Sequence, residues 1–175
     1  MSEGSPAVRI GQGLDVHRFS DQPGRPLILG GVPITGEGAQ GLDGHSDADP
    51  VAHAVADAVL GAAGLGDLGR HAPDTDPRWR GADSMEILAL AVDLARRSGW
   101  APANADCTVV AERPRLAPFV ERMSERLAEV LGAPVNVKAT RAEGLGALGR
   151  AEGIACSAVV LLSAVPAADQ AGSDR

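Results

Sequence analysis

Apolar and polar positions change period several times along this chain, and each change marks an element. Residues 8–19, VRIGQGLDVHRF, read as a strand with glycines set inside it. Glycine weakens a strand and often marks close backbone approach to a ligand or another chain. PLILGGVPI, residues 26–34, reads as a short hairpin-like strand pair around Gly30 and Gly31. The Gly-rich TGEGAQGLDG leads to an apolar helical run over about 49–64, with Asp49 as N-cap and Pro50 at the first helical position. A polar, turn-rich stretch fills 66–82. A second helix over about 83–98 is capped by Asp83 or Ser84, buries Ile87, Ala91, Leu94 and Ala95, and ends at Gly99. ANADCTVVAE, residues 103–112, is a strand. A third helix over about 116–131 places Leu116, Phe119, Val120, Met123, Leu127 and Leu131 on one face, and Gly132 closes it. VNVKAT (135–140) and IACSAVVLLSAV (154–165) are strands, joined through the Gly-rich 143–153. The alternation in the second half favours βαβ crossovers. The pattern predicts one α+β domain over 8–164, a mixed sheet packed by about three helices. The tails, 1–7 and 165–175, are small and polar and predict poor order.

Composition narrows the class. Hydrophobic residues make up 45% of the 175, so the chain has the material for a buried core. Aromatics are 2% and tyrosine is absent. The core must therefore be built from alanine, valine, leucine and isoleucine, which favours close packing of helices on a sheet. A net charge of −7 argues against a nucleic-acid or anionic-membrane surface. No apolar run reaches membrane-spanning length. The start, MSEGSPAV, has neither a basic nor an apolar leader region, so a cytoplasmic protein is expected. Cys107 and Cys156 lie apart in apolar strand runs, which predicts reduced core residues.

The chemistry gathers around HSDADPVAH, residues 45–53. Capping explains Asp49, and Asp47 reads as a charge near the positive helix end. Capping does not explain His53, which shares a helix face with Asp57. Asp15 and His17 are two apart on the first strand, so both side chains leave one face. Asp15, His17 and His53 are then three ligands from two rigid elements, leaving one coordination position open. That pattern fits a catalytic zinc, and the same ligand types make the facial triad of iron oxygenases; spacing does not choose between them. Asp67, Asp74 and Asp76 lie in turns, where aspartate is common, and also suit polyol hydroxyls. KATRAEGLG ends a strand with Lys138, Thr140, Arg141 and Glu143, donors and free amides that suit a phosphate, and Glu143 suits a divalent ion. The Gly-rich loop lacks the P-loop pattern.

GQGLDVHRF, HSDADPVAHAVADAVLGAAGLGDLG, PDTDPRWRGADS, VNVKAT and GRAEGIAC, in this order, resemble the 2-C-methyl-D-erythritol 2,4-cyclodiphosphate synthase family over about residues 8–162. The resemblance implies a homotrimer with active sites between neighbouring subunits. It implies zinc (Zn2+) on Asp15, His17 and His53. His45 and Ser46 fall in the loop at the substrate phosphates, close to the helix start where phosphate is favoured. The methylerythritol segment falls on Asp67, Leu68, Gly69, Ala72, Pro73, Asp74, Thr75 and Asp76. The cytidine segment falls on Ala111, Pro114, Arg115, Leu116 and Ala117. A second cation, magnesium or manganese (Mg2+ or Mn2+), falls on Glu143, with Thr140, Arg141 and Ala142 at the phosphates and Ala147 beside them. His45 and Arg141 are the expected catalytic residues. Arg150 and Glu152 resemble a pair near an apolar channel on the trimer axis. Asp57, on the face of His53, is the expected outer partner of that imidazole.

Four positions depart from the family pattern. Ala72 and Ala147 stand where phenylalanine is common, Arg115 replaces a lysine, and Arg141 replaces a threonine. The family reaction is an attack by a 2-phosphate on the β-phosphate of a cytidine diphosphate ester in the same molecule, releasing cytidine monophosphate. The nucleophile is already an anion, so positioning and charge neutralisation carry the chemistry. An acidic protein needs divalent cations to hold such a substrate. The rival readings are a zinc phosphoesterase, an iron oxygenase and a non-catalytic trimeric binding protein.

Overall fold

An alanine-rich helix laid on glycine forms the centre of the molecule. A computed structural model describes residues 8–165. Its first strand, β1 (Val8–Arg18), lies against the helix α1 (Pro50–Ala63). A side chain at Gly11 would meet the Ala58 carbonyl oxygen at 1.9 Å, and one at Gly13 the Ala54 oxygen at 2.0 Å. The two glycines thus admit α1 of the same chain, where the sequence pattern suggested a ligand or another chain. Asp49 caps α1 through Val51 N and Ala52 N, and Gly64 ends it with φ 75°. Along α1 only His53, Asp57 and Gly61 escape full burial. The Asp49 carboxylate also accepts from Gly30 N at 2.9 Å and Gly31 N at 2.7 Å. These bonds tie the hairpin of β2 (Leu27–Leu29) and β3 (Val32–Ile34) to the helix start. Complete burial pushes the Asp49 carboxyl up, to about 6, against the pull of its backbone donors.

The remaining strands are β4 (Trp100–Val110), β5 (Val135–Thr140) and β6 (Gly153–Ala164). The four long strands form one mixed sheet in the order β1-β6-β4-β5, with β6 antiparallel to both neighbours and β4 parallel to β5. The helices α1, α3 (Ser84–Arg97) and α4 (Val120–Leu131) pack as a layer on the sheet, as the α+β reading expects. The β4–α4–β5 unit is the crossover. Cys107 and Cys156 are both free and buried. Among the described residues no helix is long and apolar enough to cross a membrane.

Three boundaries differ from the sequence pattern. The α4 helix starts at Val120, four residues later than expected. Pro118 biases its predecessor away from helical backbone, while Leu116 still packs in the core. The β4 strand starts at Trp100, and its Pro102 is tolerated because the register shifts between Pro102 and Asn104. The turn-rich stretch holds α2 (Leu68–His71) and a 3₁₀ turn (Pro77–Trp79), capped by Asp67 and Asp76; α5 (Gly146–Gly149) lies in the last Gly-rich loop. Val165, where the last expected strand and the expected tail meet, lies just past β6 and donates to Gly99 O at 2.9 Å. The rest of both expected tails lies outside the described residues.

The faces of β1 carry an inverted pattern. Its odd positions turn to the helix layer, with Gly11 and Gly13 buried and Asp15 and His17 half-buried. Its even positions turn away, leaving Val8, Ile10, Leu14 and Val16 exposed, with Val159 of β6 on the same side.

Candidate active site

The odd face of β1 and the first turn of α1 meet at three side chains. Asp15 Oδ2 lies 2.9 Å from His17 Nδ1 and 3.1 Å from His53 Nδ1. The His17 and His53 rings stand 5.4 Å apart, tilted by 46°. Metal-donor atoms of the three residues all lie within 4.8 Å of one another. Burial opposes ionisation of Asp15, yet the closely approaching imidazoles of His17 and His53 hold its carboxyl well below the usual range. Burial likewise works against the charged form of His53, but Asp15, with Asp49 and Asp47 behind it, raises its pKa. His17 Nδ1 is buried and makes no properly directed hydrogen bond. An orphaned nitrogen facing a carboxylate and a second imidazole is a donor set without its acceptor. The three residues fit one divalent cation.

His53 reaches away from Asp57. Helical Cα–Cβ bonds tilt toward the N-terminus, so the imidazole leans back over the helix start. Asp57 Oδ1 instead accepts from Leu68 N at 3.0 Å and pins the start of α2. The expected Asp57–His53 pair is therefore not formed. The outer nitrogen of His53, Nε2, meets Ser84 Oγ at 2.9 Å and Ser46 Oγ at 3.3 Å. Ser84 Oγ in turn donates to Asp47 Oδ1 in a short bond, and Ser84 N donates to Asp47 Oδ2 at 3.2 Å. Asp47 thus grips the start of α3, and its Oδ1 also accepts from Asp49 N at 3.2 Å, so it is not a free charge at α1. Asp83 caps α3, which releases the Ser84 hydroxyl for this contact.

The loop before α1 is held from outside. Arg25 Nη2 donates to Gly44 O at 3.0 Å and Ser46 O at 2.7 Å, bracketing His45. His45 Nε2 lies 3.3 Å from Asp76 O, which links this loop to the 66–82 stretch. The α1 terminus offers no free amide in its first turn. Pro50 has none, Val51 N and Ala52 N go to the Asp49 side chain, and His53 N goes to Asp49 O. A phosphate near His45 and Ser46 therefore needs donors other than the helix terminus on which the sequence reading leaned.

Turn chemistry accounts for two of the aspartates. Asp67 Oδ1 accepts from Arg70 N, and Asp76 accepts from Arg78 N and the Arg78 guanidinium. Asp74 and Thr75 are exposed; Gly69 is exposed and Leu68, Ala72 and Pro73 are half-buried. At the far side of the sheet, Ala111, Pro114, Arg115, Leu116, Ala117, Ala139, Thr140 and Arg141 line a cavity of about 160 Å³. Glu143 and Ala147 are exposed beside it in sequence, and Ala142 is half-buried. Glu143 holds φ 52°, an uncommon conformation for a side chain with a Cβ. Arg150 pairs with Glu152 at 2.6 Å on the surface. Among the described residues the Asp15 triad is the one cluster of three histidine, cysteine or carboxylate donors, and Glu143 belongs to no such cluster.

Strand register brings both groups to the same end of the sheet, on its two opposite edge strands. His17 pairs with Ile154, Val110 with Ala155, and Val110 with Thr140. The ends of β1 and β5 are three strand spacings apart, about 14 Å. Among the described residues no hydrogen bond or ion pair joins the triad to the cavity of Thr140 and Arg141.

The family model described as the YgbB family matches residues 8–163. The chain belongs to the YgbB family. A 2-C-methyl-D-erythritol 2,4-cyclodiphosphate synthase of Geobacillus kaustophilus is 59% identical over 157 residues, 88% of this chain and 97% of the relative. A solved bifunctional IspDF from Campylobacter jejuni is 44% identical with a TM-score of 0.84, over 90% of this chain and 42% of that larger one. A solved 2-C-methyl-D-erythritol 2,4-cyclodiphosphate synthase in a form with CDP bound is 37% identical with a TM-score of 0.79, over 89% of this chain and all of that one (100%). The motif resemblance is thus met by relatives of that name across nearly the whole domain.

Proposed function

We propose that this protein converts 4-diphosphocytidyl-2-C-methyl-D-erythritol 2-phosphate to 2-C-methyl-D-erythritol 2,4-cyclodiphosphate and CMP. It would act as a cytoplasmic phosphorus–oxygen lyase of the non-mevalonate route to isoprenoids. The observation that carries the reading is the convergence of Asp15, His17 and His53 on one point in a member of this family. Asp15, His17 and His53 would hold zinc, and Glu143 magnesium or manganese. When bound, such ions supply Lewis-acid clamps on phosphoryl oxygens.

The residues do the positioning. The cavity of Ala111–Ala117 and Thr140 takes the cytidine diphosphate end, a reading supported by the CDP-bound relative. Arg141 at its rim brings a forked cation to the phosphates, where the family pattern has a neutral hydroxyl. The loop of His45 and Ser46, braced by Arg25, faces the diphosphate, and Asp67, Asp74 and Asp76 meet the polyol. The 2-phosphate oxygen forms a bond to the β-phosphorus, the bond from that phosphorus to the bridging oxygen breaks, and CMP leaves with the electron pair. No general base is required.

Assembly as a homotrimer completes the picture. The ends of β1 and β5, which carry the triad and the cavity, lie roughly 14 Å apart within one chain, more than one phosphoryl group spans, which supports sites shared between subunits. The exposed stripe of Val8, Ile10, Leu14, Val16 and Val159 supports burial against further copies of the chain. The deciding assay is turnover in oxygen-18 water followed by phosphorus NMR. The proposal expects two coupled cyclic-diphosphate signals beside CMP, no label in either product, and loss of turnover with a chelator. Label in a linear phosphate product would replace it with metal-assisted hydrolysis.

A further inference from the structure

The contacts behind His53 fix more than its position. A carboxylate only accepts hydrogen bonds, so in the short Asp47–Ser84 contact the single hydroxyl proton of Ser84 belongs to that bond. Ser84 Oγ then has lone pairs alone to offer His53 Nε2 at 2.9 Å, and Nε2 must carry the N–H. When a cation takes the place of the proton between Nδ1 and Asp15 Oδ2, 3.1 Å apart, the neutral ring keeps Nε2–H and turns a lone pair on Nδ1 to that cation. Ser46 fits the same order. Its oxygen accepts from Ala48 N at 3.1 Å, and its proton can pass to Ser84 Oγ at 3.2 Å. Ser84 is fully buried and Ser46 nearly so, which keeps water from competing for these bonds.

We infer that Asp47 and Ser84 act as positioning residues that lock His53 in the tautomer with Nε2–H, presenting Nδ1 to the cation held with Asp15 and His17. The inference rests on the metal reading of that triad. The two residues lie 37 apart in sequence and on different elements, so the lock joins the starts of α1 and α3. Outer partners of ligating imidazoles contribute about 10- to 100-fold in metal affinity.

The test uses the full chain with zinc. Competition against a chromophoric chelator measures affinity, and nitrogen-15 histidine NMR of the zinc-loaded protein reads the His53 Nε2–H. The wild type should bind one zinc per chain and show that proton as a slowly exchanging resonance. Ser84→Ala, whose cap residue Asp83 is untouched, should keep the fold by circular dichroism, bind zinc about 10- to 100-fold more weakly and lose the slow resonance. Asp47→Asn should weaken zinc comparably, and the double variant should be no worse than the weaker single, because the two act in series. Wild-type affinity in Ser84→Ala with the Nε2–H still protected overturns the lock. Failure of the wild type to bind zinc overturns the metal reading itself.

Discussion

The distance between β1 and α1 sets how Asp15, His17 and His53 converge, and Gly13→Ala tests it. Gly13 lies two residues before Asp15, and the carbonyl its new methyl would strike, Ala54 O, is next to His53. The methyl carbon would stand 2.0 Å from that oxygen. Reaching even 3 Å requires α1 to back away from β1 by about 1 Å, whereas metal–ligand distances tolerate about 0.2 Å. Both atoms in the clash are backbone-fixed, so no rotamer relieves it. Overpacking of this kind costs about 1–3 kcal/mol, or roughly 2–12 °C in Tm for a chain of this size. Zinc affinity should fall at least about tenfold. Gly11→Ala is the control: its methyl would strike Ala58 O at 1.9 Å, a full helical turn further from His53. It should lose similar stability and less metal affinity. Thermal melts in chelator at fixed protein concentration, with zinc competition, give both numbers. Gly13→Ala with an unchanged Tm and unchanged zinc affinity would refute the close seating of α1 on β1.

Other outcomes follow from single residues. Glu143→Gly should raise stability by roughly 0.5–1 kcal/mol, since the left-handed backbone costs a non-glycine residue about 1–2 kcal/mol and glycine's chain entropy returns part of it. The same variant should abolish turnover; full activity would remove Glu143 from the site. Arg141→Ala should cut turnover at least about tenfold, the loss of one charge-assisted phosphate contact, and unchanged kinetics would mean the guanidinium points to solvent. Leu14→Asp changes a residue 63% exposed in the single chain, so the fold should persist while the proposed trimer dissociates, as read by sedimentation. A trimer of undiminished stability would show that this face is not the one covered.

Much of the architecture was legible because local chemistry announced it. Asp49-Pro50, Asp83 and the glycines at 64, 99 and 132 mark helix ends, and the period-two spacing of Asp15 and His17 puts them on one face. What the pattern hid was non-local. Proline at 102 and 118 argues against strand and helix at short range, and only the bulge and the following turn reveal how each is absorbed. The α2 helix and the 3₁₀ turn are too short to show a period. The outer partners of the site, Ser84 for His53 and Arg25 for the His45 loop, come from residues with adequate local explanations, a helix start and a polar turn. Asp57 shows the converse error: sharing a helix face with His53 was a weaker constraint than the direction in which helical side chains lean.

The inverted strand joins these threads. A lone sheet with one face to solvent normally turns its apolar residues inward. β1 turns Gly, Gly, Asp and His inward and Val, Ile, Leu and Val outward. The inward choice follows from the two demands on that face. Glycine alone admits the α1 backbone, and the carboxylate and imidazole must face His53. No room then remains on that face for the strand's apolar residues, which fall by alternation on the other side. Covering them with the same surface of other copies removes the exposed stripe, and it places the partners along the strands whose ends carry the triad. The donor set of the inner face and the exposed apolar stripe of the outer face, the surface of the proposed association, are thus two consequences of one eleven-residue strand. A substitution such as Leu14→Asp should therefore lower activity in proportion to trimer lost, while leaving zinc on each separated chain.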